Sequence, residues 1–190
     1  MADLANIDKN EIVLVDPDNS SYEAKILSDG SQLVRVMQNH WVLDDKAFGV
    51  SLEPNLSSTS QIPAILIRNP GGSGKKLYLT EVLFQLVSTV TARCRIRLYK
   101  GPTVTATGSA ATISPARVGG SLPSSAMEVY TLPTVSANGT QIAIWSCDQS
   151  TTVMDNDFHH ILDAGYDLLV TGQSESSNKP LGATVRWAEF

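Results

Sequence analysis

Between Pro63 and Val87 two apolar runs flank a glycine-rich loop, and no other part of the chain is as apolar for as long. Ala64-Ile65-Leu66-Ile67 forms the first run, and Leu77-Tyr78-Leu79 through Val82-Leu83-Phe84-Gln85-Leu86-Val87 forms the second. Asn69-Pro70-Gly71-Gly72-Ser73-Gly74 lies between them. Glycine supplies the positive φ angles of a reversal and proline presets its first residue. The pattern predicts a β-hairpin with a longer loop, and the spine of a β-sheet core. Gly74-Lys75-Lys76 in that loop resembles part of a phosphate-binding loop, but the match fails. Asn69 stands where the first glycine belongs, Lys76 stands where a hydroxyl must meet magnesium, and a strand pattern follows instead of a helix.

The remaining strands read by alternation. In Ala92–Lys100, Cys94, Ile96 and Leu98 face one way and Arg93, Arg95 and Arg97 the other. Met127–Leu132 and Gln141–Trp145 are further strand candidates, separated by turn-rich Ser136–Gly139. Residues 103–125 read as a long surface loop with one short strand. Gly165–Thr171 and Leu181–Trp187, joined by a polar loop, predict a closing hairpin with Leu181, Ala183, Val185 and Trp187 on one face. No stretch carries a helical period over three turns, although Asp155–Leu162 can make one helical turn. About eight strands at this spacing predict an all-β fold, a sandwich or jelly roll, over residues 61–190.

Residues 1–45 differ in texture. Glu11–Val15, Tyr22–Ile26 and Leu33–Met37 read as three short strands, too few to close a core of their own. They form either an N-terminal β-rich arm or small subdomain, or the first strands of one sandwich. Residues 46–60, with polar Asn55–Ser60, read as a linker.

The charge balance narrows the partners. A net charge of −5 and 17% charged residues argue against general nucleic-acid binding, which wants a basic face. The first residues show no signal-peptide pattern and no apolar run reaches a membrane span, so the expectation is a soluble chain made in a cytoplasm. Cys94 and Cys147 have no metal-motif spacing and read as two buried thiols or as a disulfide.

Candidate sites are few. His159-His160 sits among Asp155, Asp157 and Asp163, but adjacent strand residues point to opposite faces and cannot easily converge on one ion; His40 lies far off in the arm. No metal or other cofactor is expected. The serines include no nucleophile elbow, and Asp44-Asp45 falls beside the linker, so no enzyme is expected. The Arg93, Arg95, Arg97 row is either a solvated face paired with acids or a subunit or partner interface. Of the three tryptophans, Trp187 reads as core, while Trp145, opposite Ile142 and Ile144 in its pattern, reads as the best exposed ligand or interface aromatic.

Ile65–Leu66–Ile67, Asn69-Pro70-Gly71-Gly72-Ser73-Gly74-Lys75 and Leu77–Phe84, with Ile161–Val170 and Val185–Glu189, resemble the opening and closing strands of jelly-roll domains in tailed-bacteriophage virion proteins. That group includes capsid decoration (cement) proteins and head fibres, and the resemblance spans about residues 61–190. It implies a jelly-roll β-sandwich, a homotrimer, the virion capsid surface as location, and the major capsid (coat) protein as partner, with no nucleic acid and no membrane. Under it the arm would meet coat-protein edges through Ile12, Leu14, Leu33 and Val36, by strand addition. The alternative is a carbohydrate- or receptor-binding jelly-roll module of a virion fibre, with a glycan held near Trp145.

Overall fold

The computed structural model describes residues 11–15, 21–26 and 32–33 as backbone, and 45–87, 92–119, 123–148, 150–155 and 160–190 with their side chains. All regular structure among these is β, as the alternation requires. Near the N-terminus β1 (Glu11–Val15), β2 (Ser21–Ile26) and β3 (Gln32–Leu33) make an antiparallel three-stranded sheet in that order. Then follow β4 (Ala47–Leu52), β5 (Asn55–Leu56), β6 (Ile62–Arg68), β7 (Leu77–Leu86) and β8 (Arg93–Lys100). An excursion holds β9 (Thr103–Ala106), β10 (Ser109–Ala110), β11 (Ser114–Pro115), β12 (Glu128–Thr131) and β13 (Thr134–Ala137). The chain ends with β14 (Thr140–Asp148), β15 (Val153–Asp155), β16 (His160–Leu162), β17 (Asp167–Ser174) and β18 (Lys179–Glu189).

Two antiparallel sheets pack face to face. One has the order β10-β12-β6-β17-β8-β14, the other β11-β4-β18-β7-β15, with β16 also on β7 and β5 on β18. Their inner faces interdigitate in one core that includes Phe48, Ile65, Ile67, Phe84, Ile96, Val185 and Trp187. The inward residues of β8 and β18 are those the alternation predicts: Cys94, Ile96 and Leu98, and Leu181, Ala183, Val185 and Trp187, are all buried. Cys94 and Cys147 are buried free thiols.

Four expectations are corrected. First, β6 and β7 are not a hairpin, and neither are β17 and β18; each pair spans the two sheets. The edges of β6 are taken by β12 and β17, and those of β17 by β6 and β8, so the next strand must leave the sheet. The 69–76 loop therefore arches across the gap of about 10 Å between packed sheets. Second, residues 46–60 are not a linker: β4 pairs with β18 from Ala47 to Leu52, and Phe48, Val50 and Leu56 are buried. The two sheets thus begin near residue 47, ahead of the expected start at 61. Third, Asp155–Leu162 makes no helical turn in its described part, where β15 and β16 both pair with β7. Fourth, the described part of residues 103–125 holds three short strands, of which β11 closes one edge of the β4 sheet and β10 one edge of the other.

The glycine-rich loop owes its shape to Asn69, which is fully buried. Its Nδ2 donates to the carbonyls of Lys75 (2.9 Å) and Leu162 (2.8 Å), and its Oδ1 accepts from Ser73 Oγ at 2.5 Å. Its backbone N–H donates to Tyr166 O (3.0 Å) and its carbonyl accepts from Gly165 N–H (2.8 Å). Asn69 thus ties the β6–β7 arch to the end of β16 through its side chain and to the turn before β17 through its backbone. A polar group can sit there only because all its hydrogen-bonding capacity is met.

Candidate functional site

The arginine row lies on the outer face of the six-stranded sheet. Arg93 and Arg95 are exposed and Arg97 half-buried, on the strand whose alternate residues fill the core. In register, Arg97 is flanked by Thr171 of β17 and Ile144 of β14, and Arg95 by Gln173 and Ser146. Arg97 Nη1 donates to the amide oxygens of Gln61 and Gln173, both at 3.2 Å. Gln61 Nε2 donates in turn to Tyr99 Oη and Thr171 Oγ1, both at 2.8 Å, and Tyr99 Oη donates to Gln141 Oε1 at 3.4 Å.

This network fixes the Arg97 guanidinium with neutral acceptors, so its charge is held in place and not cancelled. Among the described residues no carboxylate forms an ion pair with Arg93, Arg95 or Arg97. Acids do stand near Arg93: its N–H donates to Glu175 Oε2 (3.3 Å), and Asp148 is its register partner. Asp148 Oδ1 is taken up by the Ser150 N–H and hydroxyl and the Thr151 N–H, which hold its carboxyl below the usual range. The uncompensated part of the row is therefore Arg95 and Arg97. Ile144, 54% exposed, adds an apolar group beside them. At the other end of the same face Arg68 forms a bidentate pair with Asp167 (3.0 and 2.8 Å), which raises the guanidinium's pKa, while Tyr130 donates to Glu128 (2.8 Å).

Trp145 is not the exposed aromatic its pattern predicts. It is half-buried, packs against the core, and its ring lies 5.7 Å from Phe84. A β-bulge between Gln141 and Ala143 shifts the phase of β14, so Ala143, Trp145 and Cys147 turn inward and Ile144 turns out. Ile12, Leu14 and Leu33 lie on the N-terminal sheet, with Ile12 opposite Ala24, Leu14 opposite Tyr22 and Leu33 opposite Lys25, so they share no single register row. Val36, His40, Trp41 and His159 lie outside the described residues. His160 is half-buried on β16, where burial lowers its pKa against the opposing pull of Asp155. Among the described residues no group of three or more His, Cys, Asp or Glu could hold a metal ion.

The second feature escaped the sequence reading. The outer face of the seven-stranded sheet carries a shallow groove of about 670 Å³ floored by Gly49, Ser51, Thr184 and Arg186, with Pro115 on its rim. Arg186 Nη1 donates to the buried Glu81 carboxylate at 3.1 Å, and Arg186 lies opposite Gly49 of β4 in register. The groove's β4 residues Ala47, Gly49 and Ser51 fall within the 46–60 stretch that reads as a linker. No protein-family model and no curated protein matches the chain.

Proposed function

We propose that this chain is a non-enzymatic virion structural protein: a capsid decoration (cement) protein of a tailed bacteriophage, bound to the outside of the head as a homotrimer. The observation that carries the reading is the Arg95–Arg97–Ile144 face on the outside of the six-stranded sheet, with the Arg97 charge held by neutral amides. Arginine beside an exposed apolar group is a composition found at protein interfaces, and a net charge of −5 makes the patch stand out from the rest of the chain. It suits an acidic surface of coat protein. The winding of the chain supports a jelly roll, because β4, β6, β7, β8, β14, β15/β16, β17 and β18 fall into the two four-strand sets 4-18-7-15/16 and 6-17-8-14. The N-terminal sheet supplies strand edges for addition to coat subunits. Several weak contacts per trimer would multiply through avidity.

The test is co-sedimentation of the full chain with undecorated heads of the phage that encodes it, with mass in solution measured by light scattering. Stoichiometric, salt-sensitive binding by a trimer, lost in Arg95→Glu/Arg97→Glu with the fold intact, is the expected result. A monomer that ignores the heads overturns the reading. Binding of the monomer to an acidic glycan at the same face would favour the fibre-module alternative, for which the Arg97–Gln61–Tyr99–Gln141 network is the specific observation.

A further inference from the structure

Cys94 and Cys147 are register partners on the antiparallel strands β8 and β14, one rung from the Asp148–Arg93 end of the ladder. Directly opposed residues in such a pair have Cα atoms about 4.5–5.5 Å apart, within the 4.4–6.8 Å span of disulfides. Both side chains turn inward into the core, 0% and 3% exposed. β14 is the terminal strand of its sheet, so opening at its end reaches the pair without unfolding the core.

We propose that Cys94 and Cys147 are a disulfide-forming pair that closes on exposure to a low-molecular-weight disulfide and fastens the edge strand β14 to β8. Once β14 opens, either thiol can lose its proton and begin the exchange, Cys94 for instance. With oxidised glutathione, the Cys94 thiolate attacks one sulfur, forms a mixed disulfide and releases one glutathione thiolate. Cys147 then loses its proton to solvent, attacks the Cys94 sulfur and releases the second. The protein gives up two thiol hydrogens as protons and two electrons, and the glutathione disulfide is reduced to two thiols. The new bond closes the whole excursion from β9 to β13 into a covalent loop, independently of any partner.

The experiment incubates the full-length reduced protein with oxidised glutathione, follows intact mass and peptide maps, and tracks β14 amides by hydrogen exchange. The expected product is a single chain, joined covalently to no other, lighter by two hydrogens and with a peptide joining Cys94 to Cys147. It should melt on the order of 10 °C higher than the reduced form, reversibly with dithiothreitol. Cys147→Ser should instead stop at a single glutathione adduct on Cys94. Two glutathione adducts, an intermolecular disulfide, or thiols that stay free over the time in which β14 amides exchange would each overturn the proposal.

Discussion

Replacing Asn69 by alanine should destabilise the fold by far more than an average loop substitution. The side chain has no solvent exposure, and its Nδ2 is donor to the carbonyls of Leu162 and Lys75. Truncation leaves the Leu162 carbonyl buried without that donor, and the Lys75 carbonyl partly so. A buried acceptor left unpaired costs about 1–3 kcal/mol, and the second, more accessible one less, so the total is about 3 kcal/mol. For a domain of this size that is a fall in melting temperature of about 6–12 °C. The backbone bonds from Asn69 to Tyr166 and Gly165 remain available, so the variant should still fold.

Asn69→Asp separates lost hydrogen bonding from lost volume. Its shape is nearly unchanged, but at neutral pH a carboxylate would face two carbonyl oxygens. Repulsion and burial raise its folded pKa above the unfolded value, so the folded state binds the proton more tightly. The stability this contributes is present below the unfolded pKa and lost as pH rises through the folded one. Asn69→Asp should therefore melt below Asn69→Ala at pH 7 and gain on it as pH falls. Melts by circular dichroism at several pH values read both effects. An alanine variant within about 2 °C of wild type, below the shift that 1 kcal/mol produces, refutes the staple argument. So does an aspartate variant that follows alanine at every pH.

Other consequences are quicker to test. Gly139 has φ +88° and a Cβ there would stand 2.3 Å from Lys100 O, so Gly139→Ala should cost about 2 kcal/mol or more in denaturant unfolding. Glu189, buried, accepts from Trp187 Nε1 (3.0 Å), Ala126 N–H (3.0 Å) and the Ser125 hydroxyl; Glu189→Ala should cost about 2–3 kcal/mol, read by thermal melting. Burial depresses the folded pKa of His160, so its contribution is present above the unfolded value and lost as pH falls through the folded one. His160→Gln should therefore flatten the loss of stability between pH 7 and pH 5, measured by urea titration.

The strands were legible where one face is wet and the other dry. β8 shows this best: three arginines alternate with Cys94, Ile96 and Leu98, and a period of two needs no knowledge of neighbours. Sheet membership was not legible. Asn69-Pro70-Gly71-Gly72 carries the turn chemistry of a reversal, and reversals serve hairpins and inter-sheet arches alike. What decides between them is competition for strand edges: β12 and β17, tens of residues downstream, occupy both sides of β6. The same non-local settlement turned residues 46–60 from a presumed linker into an integral pair of strands.

At the candidate site the arginine row was readable and its meaning was not. A strand face bearing Arg93, Arg95 and Arg97 is either a solvated row balanced by acids or a charge kept for a partner, and the choice depends on what the adjacent strands place beside it. Arg97 receives the amide oxygens of Gln61 and Gln173, 36 and 76 residues away, and these are neutral. A carboxylate at either position would have met the Arg97 guanidinium from the same place and cancelled the charge. Gln61→Glu is thus the sharpest probe of the face, because it keeps the side-chain shape while placing a negative charge 3.2 Å from the guanidinium. The new pair contributes up to about 1 kcal/mol, but the Tyr99 and Thr171 hydroxyls lose the Gln61 amide donor and must turn to donate to the carboxylate, so stability should change by about 1 kcal/mol or less while affinity for an acidic surface falls. Binding that is unchanged in Gln61→Glu, measured beside Arg97→Ala, would mean that the charge on this face is not what a partner reads.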